Sequence, residues 1–249
     1  MKSLSPSHLP IVAAMALALA TFSPKAEAAA SLSSCGTISS PGSYLLRNNV
    51  STAGNCFVVA ADNVSIDLGG YVVSGTGTGA GFKSDGALRR GITIRNGTVA
   101  NFSTGIDFFS TVLHMTVEDM HVLGNKVAGI WINQFGIVRN SIIAENGSGI
   151  SIGARSLAIG NDVNSNQGEG IRAGSGSIVK DNSVGSNGGD GIFLENAGTA
   201  IHNNAFANTG RGIVANCPSN LIGNTLVSNA GRNVVLFGTG CSNVDGVAP

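Results

Sequence analysis

Charge is scarce in this sequence. Asp, Glu, Lys and Arg make up 11% of its 249 residues, 14 of each sign, and leave no formal net charge. That balance excludes an ordinary nucleic-acid binder, which needs a basic face to neutralise phosphates. Aromatic residues are fewer still, 5% with a single Trp, and no long stretch spaces its apolar residues at a helical period, so a helical domain is excluded as well. Cysteine occurs four times and never as C-x-x-C, while His8, His114, His121 and His202 lack metal-ligand spacing. Neither a metal nor a cofactor is therefore expected. After residue 28 no apolar run approaches the ~20 residues of a membrane-spanning helix.

Glycine is abundant instead, at 36 residues, together with Asn and Ser. The first 28 residues read as a secretory signal: Lys2, an apolar stretch from Ile11 to Ala20, and the cleavage site Ala26-Glu27-Ala28. Removal of residues 1–28 would leave 29–249 as a single domain, secreted or periplasmic, with no membrane span. An oxidising compartment permits disulfides, and the cysteines fall into two local pairs, Cys35 with Cys56 and Cys217 with Cys241.

An internal repeat decides the expected fold. The pair Gly-Ile recurs at Gly105, Gly129, Gly149, Gly170, Gly191 and Gly212, with Asn233-Val234 as a final copy. Asn125, Asn146, Asn166, Asn187, Asn208 and Asn229 run in phase with it, and Asn140, Asn161, Asn182, Asn203 and Asn224 form a further series. Each repeat reads as strand, turn, strand, turn, with Gly191–Leu194 alternating in and out and Asn182-Ser183-Val184 as the second strand. Such short strands cannot bury a face alone, but coils of roughly 21 residues stacked ~4.8 Å apart can. The expected architecture is all-β, a right-handed parallel β-helix. In it the Asn columns would occupy left-handed turn positions and bond to their copies above and below. Upstream the period loosens, and the Gly/Thr-rich stretch Ser74–Gly81 is expected to protrude as a loop.

The N-x-[VILA] and Gly-Ile repeats, with the opening Cys35-Gly36-Thr37 and the segment Ala61-Asp62-Asn63-Val64-Ser65-Ile66-Asp67-Leu68-Gly69-Gly70, resemble the right-handed parallel β-helix repeat proteins of the pectate-lyase-like superfamily. The resemblance spans about residues 35–245. It implies the fold and an exported location. Activity is left open, because polysaccharide lyases, hydrolases, epimerases and a periplasmic copper-processing protein all share this architecture.

Columns of side chains one coil apart supply the candidate sites. The outward position after Gly-Ile reads Asp107, Trp131, Ser151, Arg172, Phe193, Val214 and Val235, a face suited to sugars if Trp131 points outward and a core filler if the register slips by one. Asp107, Trp131, Arg172 and Phe193 are its candidate ligand-binding residues. A second column, Glu118, Arg139, Gly160, Asp181 and His202, offers weak catalytic candidates in Glu118, Arg139, Asp181 and His202, with ordinary surface ion pairs as the plainer reading. A third, Ser148, Glu169, Asp190, Arg211 and Arg232, reads as a charge ladder or, less simply, as a cation site. The expected function is binding of a polysaccharide or cell-envelope glycan along an outer face, without an identifiable catalytic set. The alternatives are a polysaccharide lyase or glycoside hydrolase acting on an acidic glycan, and a rigid structural spacer.

Overall fold

Every strand pairing in the computed structural model, which describes residues 28–109 and 112–242, is parallel and joins a strand to its counterpart one coil away. The expected leader lies outside the described residues except for Ala28. Among the described residues there is no helix. Three strands per coil wrap one apolar interior, so the cross-section is three-sided. One side, called here the long face, is a sheet of ten strands running from Gly36–Ile38 to Val234–Phe237. The other two sides share a sheet of seventeen strands.

Two strands per coil were expected, and the third was missed. In one coil the sides are Ile171–Ala173, Ile178–Lys180 and Ser183–Gly185. The strand Ile178–Lys180 buries only its central Val179, and a lone buried residue leaves no alternation to read. On the long face the inward column Ile130, Ile150, Ile171, Ile192 and Ile213 is 0–2% exposed. Stacking the same residue type at the strand spacing packs each Ile on its copy and removes both from water.

The corners are built from pairs of residues, and the sequence expectation for them needs correction. The left-handed residue is the one before the buried amide, not the amide itself. Glu145, Ser165, Ser186, Ala207 and Ser228 have φ of 60, 55, 55, 52 and 56°, while the following Asn146, Asn166, Asn187, Asn208 and Asn229 carry the ladder. Asn187 shows the pattern: its Oδ1 accepts from the backbone N–H and the side-chain amide of Asn166 at 3.1 and 2.9 Å, and its Nδ2 donates to Val163 O and Asn208 Oδ1 at 3.1 and 3.0 Å. Non-glycine residues resist this backbone conformation, so the bonded amide that follows is what holds each corner.

The second column starts with the Ser141 hydroxyl and continues as the amides of Asn161, Asn182, Asn203 and Asn224. Asn140, assigned to it from spacing, instead takes the left-handed position at φ 50°. The cause is one coil of 20 residues, seen in the Ser141–Asn161 and Asn146–Asn166 steps, where the rest step by 21. A third corner, made by Ser156, Ser177 and Ser219 hydroxyls accepting backbone N–H groups, went unread.

Ser74–Gly81 is no protruding loop. It closes a corner between strands Val72–Ser74 and Ala80–Ser84, and a Cβ on Gly75 or Gly79 would stand 2.5 Å from Phe102 or 2.4 Å from Gly54. The disulfides join Cys35 to Cys56 and Cys217 to Cys241, each between neighbouring coils.

Candidate functional site

The long face decides where Trp131 points. Pairing runs Lys83 to Asp107 to Trp131 to Ser151 to Arg172 to Phe193, all partly exposed, while their neighbours Ile130, Ile132, Ile150 and Ile152 are buried. Trp131 therefore lies on the outer surface, and the four residues of the sequence-derived column, Asp107, Trp131, Arg172 and Phe193, share one face.

Ser151 is the smallest side chain of that row and sits between Trp131 and Arg172, which leaves a dip two strand spacings, ~10 Å, wide. A groove of about 450 Å³ opens there, lined by Phe109, Trp131, Asn133, Gln134, Ser151, Glu169, Arg172 and Glu195 among others. On the Trp131 side the Phe109 ring lies 4.8 Å from the indole at an angle of 33°. Opposite, the Arg172 guanidinium rests 4.3 Å above the Phe193 ring and reaches Glu169 and Glu195, both at 3.5 Å. A second recess of about 390 Å³ continues past Phe109 along Lys83, Asp85 and Asp107. Rings at one end and a fixed cluster of donors and acceptors at the other make a surface that can stack an apolar ring face and bond to its polar rim.

Phe109 and Glu195 were not found from the sequence. Phe109 follows the buried Phe108 at the end of strand Thr104–Phe108, where the coil departs from the repeat. Glu195 follows strand Ile192–Leu194, and its position two residues after Phe193 was the available signal.

The second column does not assemble. Arg139 binds Glu118, and His202 lies 3.8 Å from Asp181. Yet the register takes Arg139 to Ile159 and on to Lys180 and Ile201, because of the 20-residue coil. Asp181 and His202 are left-handed corner residues, φ 54 and 52°. The two pairs are separate, with Arg139 and His202 three coils, ~14 Å, apart along the axis.

The third column is a set of ion pairs. Arg211 grips Asp190 with Nε and Nη2 at 2.9 and 2.6 Å and adds its own backbone N–H at 2.7 Å. Burial alone would push the Asp190 carboxyl up, but these bonds outweigh it and hold the group below the ordinary carboxylate range, while the Asp190 carboxylate raises the Arg211 guanidinium. Glu169 turns away to Arg172.

Residues 48–240 match the family of periplasmic copper-binding proteins (NosD). The chain belongs to that family. Its NosD relationship raises the question of copper, which prefers thiolate, thioether and imidazole ligands. The described residues do not fit one. All four cysteines are in disulfides, Met115 and Met120 are 1% and 0% exposed, and no three of His, Cys, Asp and Glu gather within ligand reach. No curated protein matches this NosD-family sequence. Among solved structures, the enzymatically active domain of tailspike protein 2 from bacteriophage CBA120 is similar at TM-score 0.57 and 15% identity, over 84% of this chain and 41% of that one. The periplasmic alginate epimerase AlgG gives 0.48 and 16%, over 82% and 60%, and pectate lyase Pel9A gives 0.43 and 12%, over 86% and 65%. The chain thus spans about 60% of the length of the epimerase. At these identities the likeness is one of fold.

Proposed function

We propose that this protein is an exported glycan-binding β-helix that holds a polysaccharide or cell-envelope glycan along its long face. The observation that carries this reading is the Phe109–Trp131 ring pair beside the Ser151 dip, with the Arg172, Glu169 and Glu195 cluster across it. Sugar rings offer apolar faces for stacking and hydroxyl rims for hydrogen bonds, and the groove supplies both in that order. Removal of residues 1–28 would release a mature chain starting near Ala29. The periplasmic description of the family and the two disulfides support a periplasmic address.

Glu118, Arg139, Asp181 and His202 are two surface pairs in this reading and carry no chemistry. The test is a panel of acidic and neutral polysaccharides presented to the purified mature protein, scored for retention and for release of unsaturated or reducing ends. Retention without release is expected, and it should disappear in Trp131→Ala. Release that is lost in Arg139→Ala would replace this reading with a polysaccharide lyase or hydrolase.

A further inference from the structure

We infer that the groove selects an uncharged glycan and turns polyuronates away, an inference that rests on the glycan-binding reading above. The two recesses together present two cations, Lys83 and Arg172, against four carboxylates, Asp85, Asp107, Glu169 and Glu195. Asp85 is engaged by Arg89, and Lys83 stands in register beside Asp107.

Among the described residues Arg172 is the only arginine lining the groove of about 450 Å³, and its charge is already faced by two carboxylates. Glu169 and Glu195 each hold it at 3.5 Å, and its flat face lies on Phe193. A uronate carboxylate needs a guanidinium fork open toward it. Here it would have to lie next to two carboxylates that already face the guanidinium, and like charges at that separation repel.

Neutral hydroxyl groups meet no such barrier. Each can donate to Glu169, Glu195 or Asp107 and accept from Arg172 or Lys83 without breaking the existing pairs. The ion-paired cluster then acts as a rim of fixed donors and acceptors, and Phe109 and Trp131 supply the stacking surface. From Lys83 to Phe193 the row crosses five strand spacings, ~24 Å, a length that accommodates several sugar units of an extended chain.

The experiment is affinity electrophoresis of the full mature chain in native gels containing neutral polymers (hydroxyethylcellulose, galactomannan, dextran), a polyuronate (polygalacturonate) or an amino polymer (chitosan). Retardation by at least one neutral polymer, insensitive to added salt and lost in Trp131→Ala, with none by polygalacturonate, is the expected result. In Glu169→Gln/Glu195→Gln, Arg172 is released, and polygalacturonate should now retard migration. Trp131 is on the surface, and thermal melts of both variants check that each still folds. Retardation of the wild type by polygalacturonate or by chitosan alone overturns the choice of an uncharged ligand and leaves the glycan-binding reading standing. A folded double variant that gains no polyuronate binding overturns the account of Arg172. Failure of every polymer to retard the protein removes the glycan-binding reading itself.

Discussion

The coils before Gly124 and those after it solve the same stacking problem with different chemistry. In the first set the corner and core positions hold large apolar groups. Phe57 stacks on Phe82 at 5.1 Å, and Phe102, Met115 and Met120 are fully buried where later coils place an amide, a hydroxyl or glycine. In the second set several inward positions shrink to alanine, at Ala158, Ala173, Ala200, Ala205 and Ala215, and the corners are tied by Asn and Ser. The junction is visible: Asn125 Oδ1 accepts from Phe102 N–H and Ser141 Oγ from Met120 N–H. A buried amide is tolerable only when its donors and acceptor are all satisfied, and identical neighbours one coil apart satisfy them automatically. An apolar corner has no such need and accepts coils of unequal length, such as the 23-residue step from Phe102 to Asn125.

Five substitutions test that contrast, from the largest effect to the smallest. Ile171→Asp places a carboxylate in the Ile stack and should cost more than about 4 kcal/mol, read as loss of the cooperative urea transition. Tolerance of it would put the inside and outside of the long face the wrong way round. Next, Asn187→Leu removes the acceptor of the Asn166 N–H and the donor to Val163 O, for about 3 kcal/mol, whereas Met120→Ala, at an apolar corner of the other column, leaves only a cavity and costs about 2–5 kcal/mol. Urea midpoints with unchanged slopes would measure both, and a neutral Asn187→Leu would break the distinction between the two halves.

Acid stability probes the second set more gently. Asp190 is held below its ordinary value near 3.8 by Arg211, against the opposing effect of burial. A carboxyl with a lowered folded-state value contributes stability that is full above the unfolded value and is lost as pH falls through the folded one. Asp190→Asn should therefore lower the melting temperature at neutral pH and flatten its decline below about pH 4. A decline as steep as that of the wild type would show that other carboxylates govern it. The smallest effect belongs to Arg172→Ala, whose half-exposed ion pairs contribute about 0–1 kcal/mol; a drop in melting temperature rivaling that of Asn187→Leu would mean that Arg172 holds the face together.

Where the amide chemistry repeats, the sequence was readable. Gly-Ile placed Ile171 inside and Arg172 outside, and the cysteine pairs matched neighbouring coils, whereas Trp131 stood open between the outer face and the core until the pairing register placed it outside. Legibility failed wherever one residue broke the count. The 20-residue coil shifted Arg139 away from Asp181 and put Ser141, not Asn140, in the column that continues through Asn161. The strand Ile178–Lys180 hid because one buried Val makes no pattern, and the Ser156 and Ser177 corner because serine is common throughout. Phe109 was missed for a related reason: it belongs to an extended coil, and only folding carries it to Trp131.

The uniform corners after Asn146 also bear on how such a chain can change its length through time. Because Asn166 meets Asn187 as Asn187 meets Asn208, excision of residues 167–187 would set Asn166 against Asn208 with the same bonds, and duplication of that segment would add a coil with none left unmade. Gene-level gain or loss of one unit thus lengthens or shortens the outer face by a single step, whereas the apolar-cornered coils, each fitted to its particular neighbour, offer no equivalent cut point.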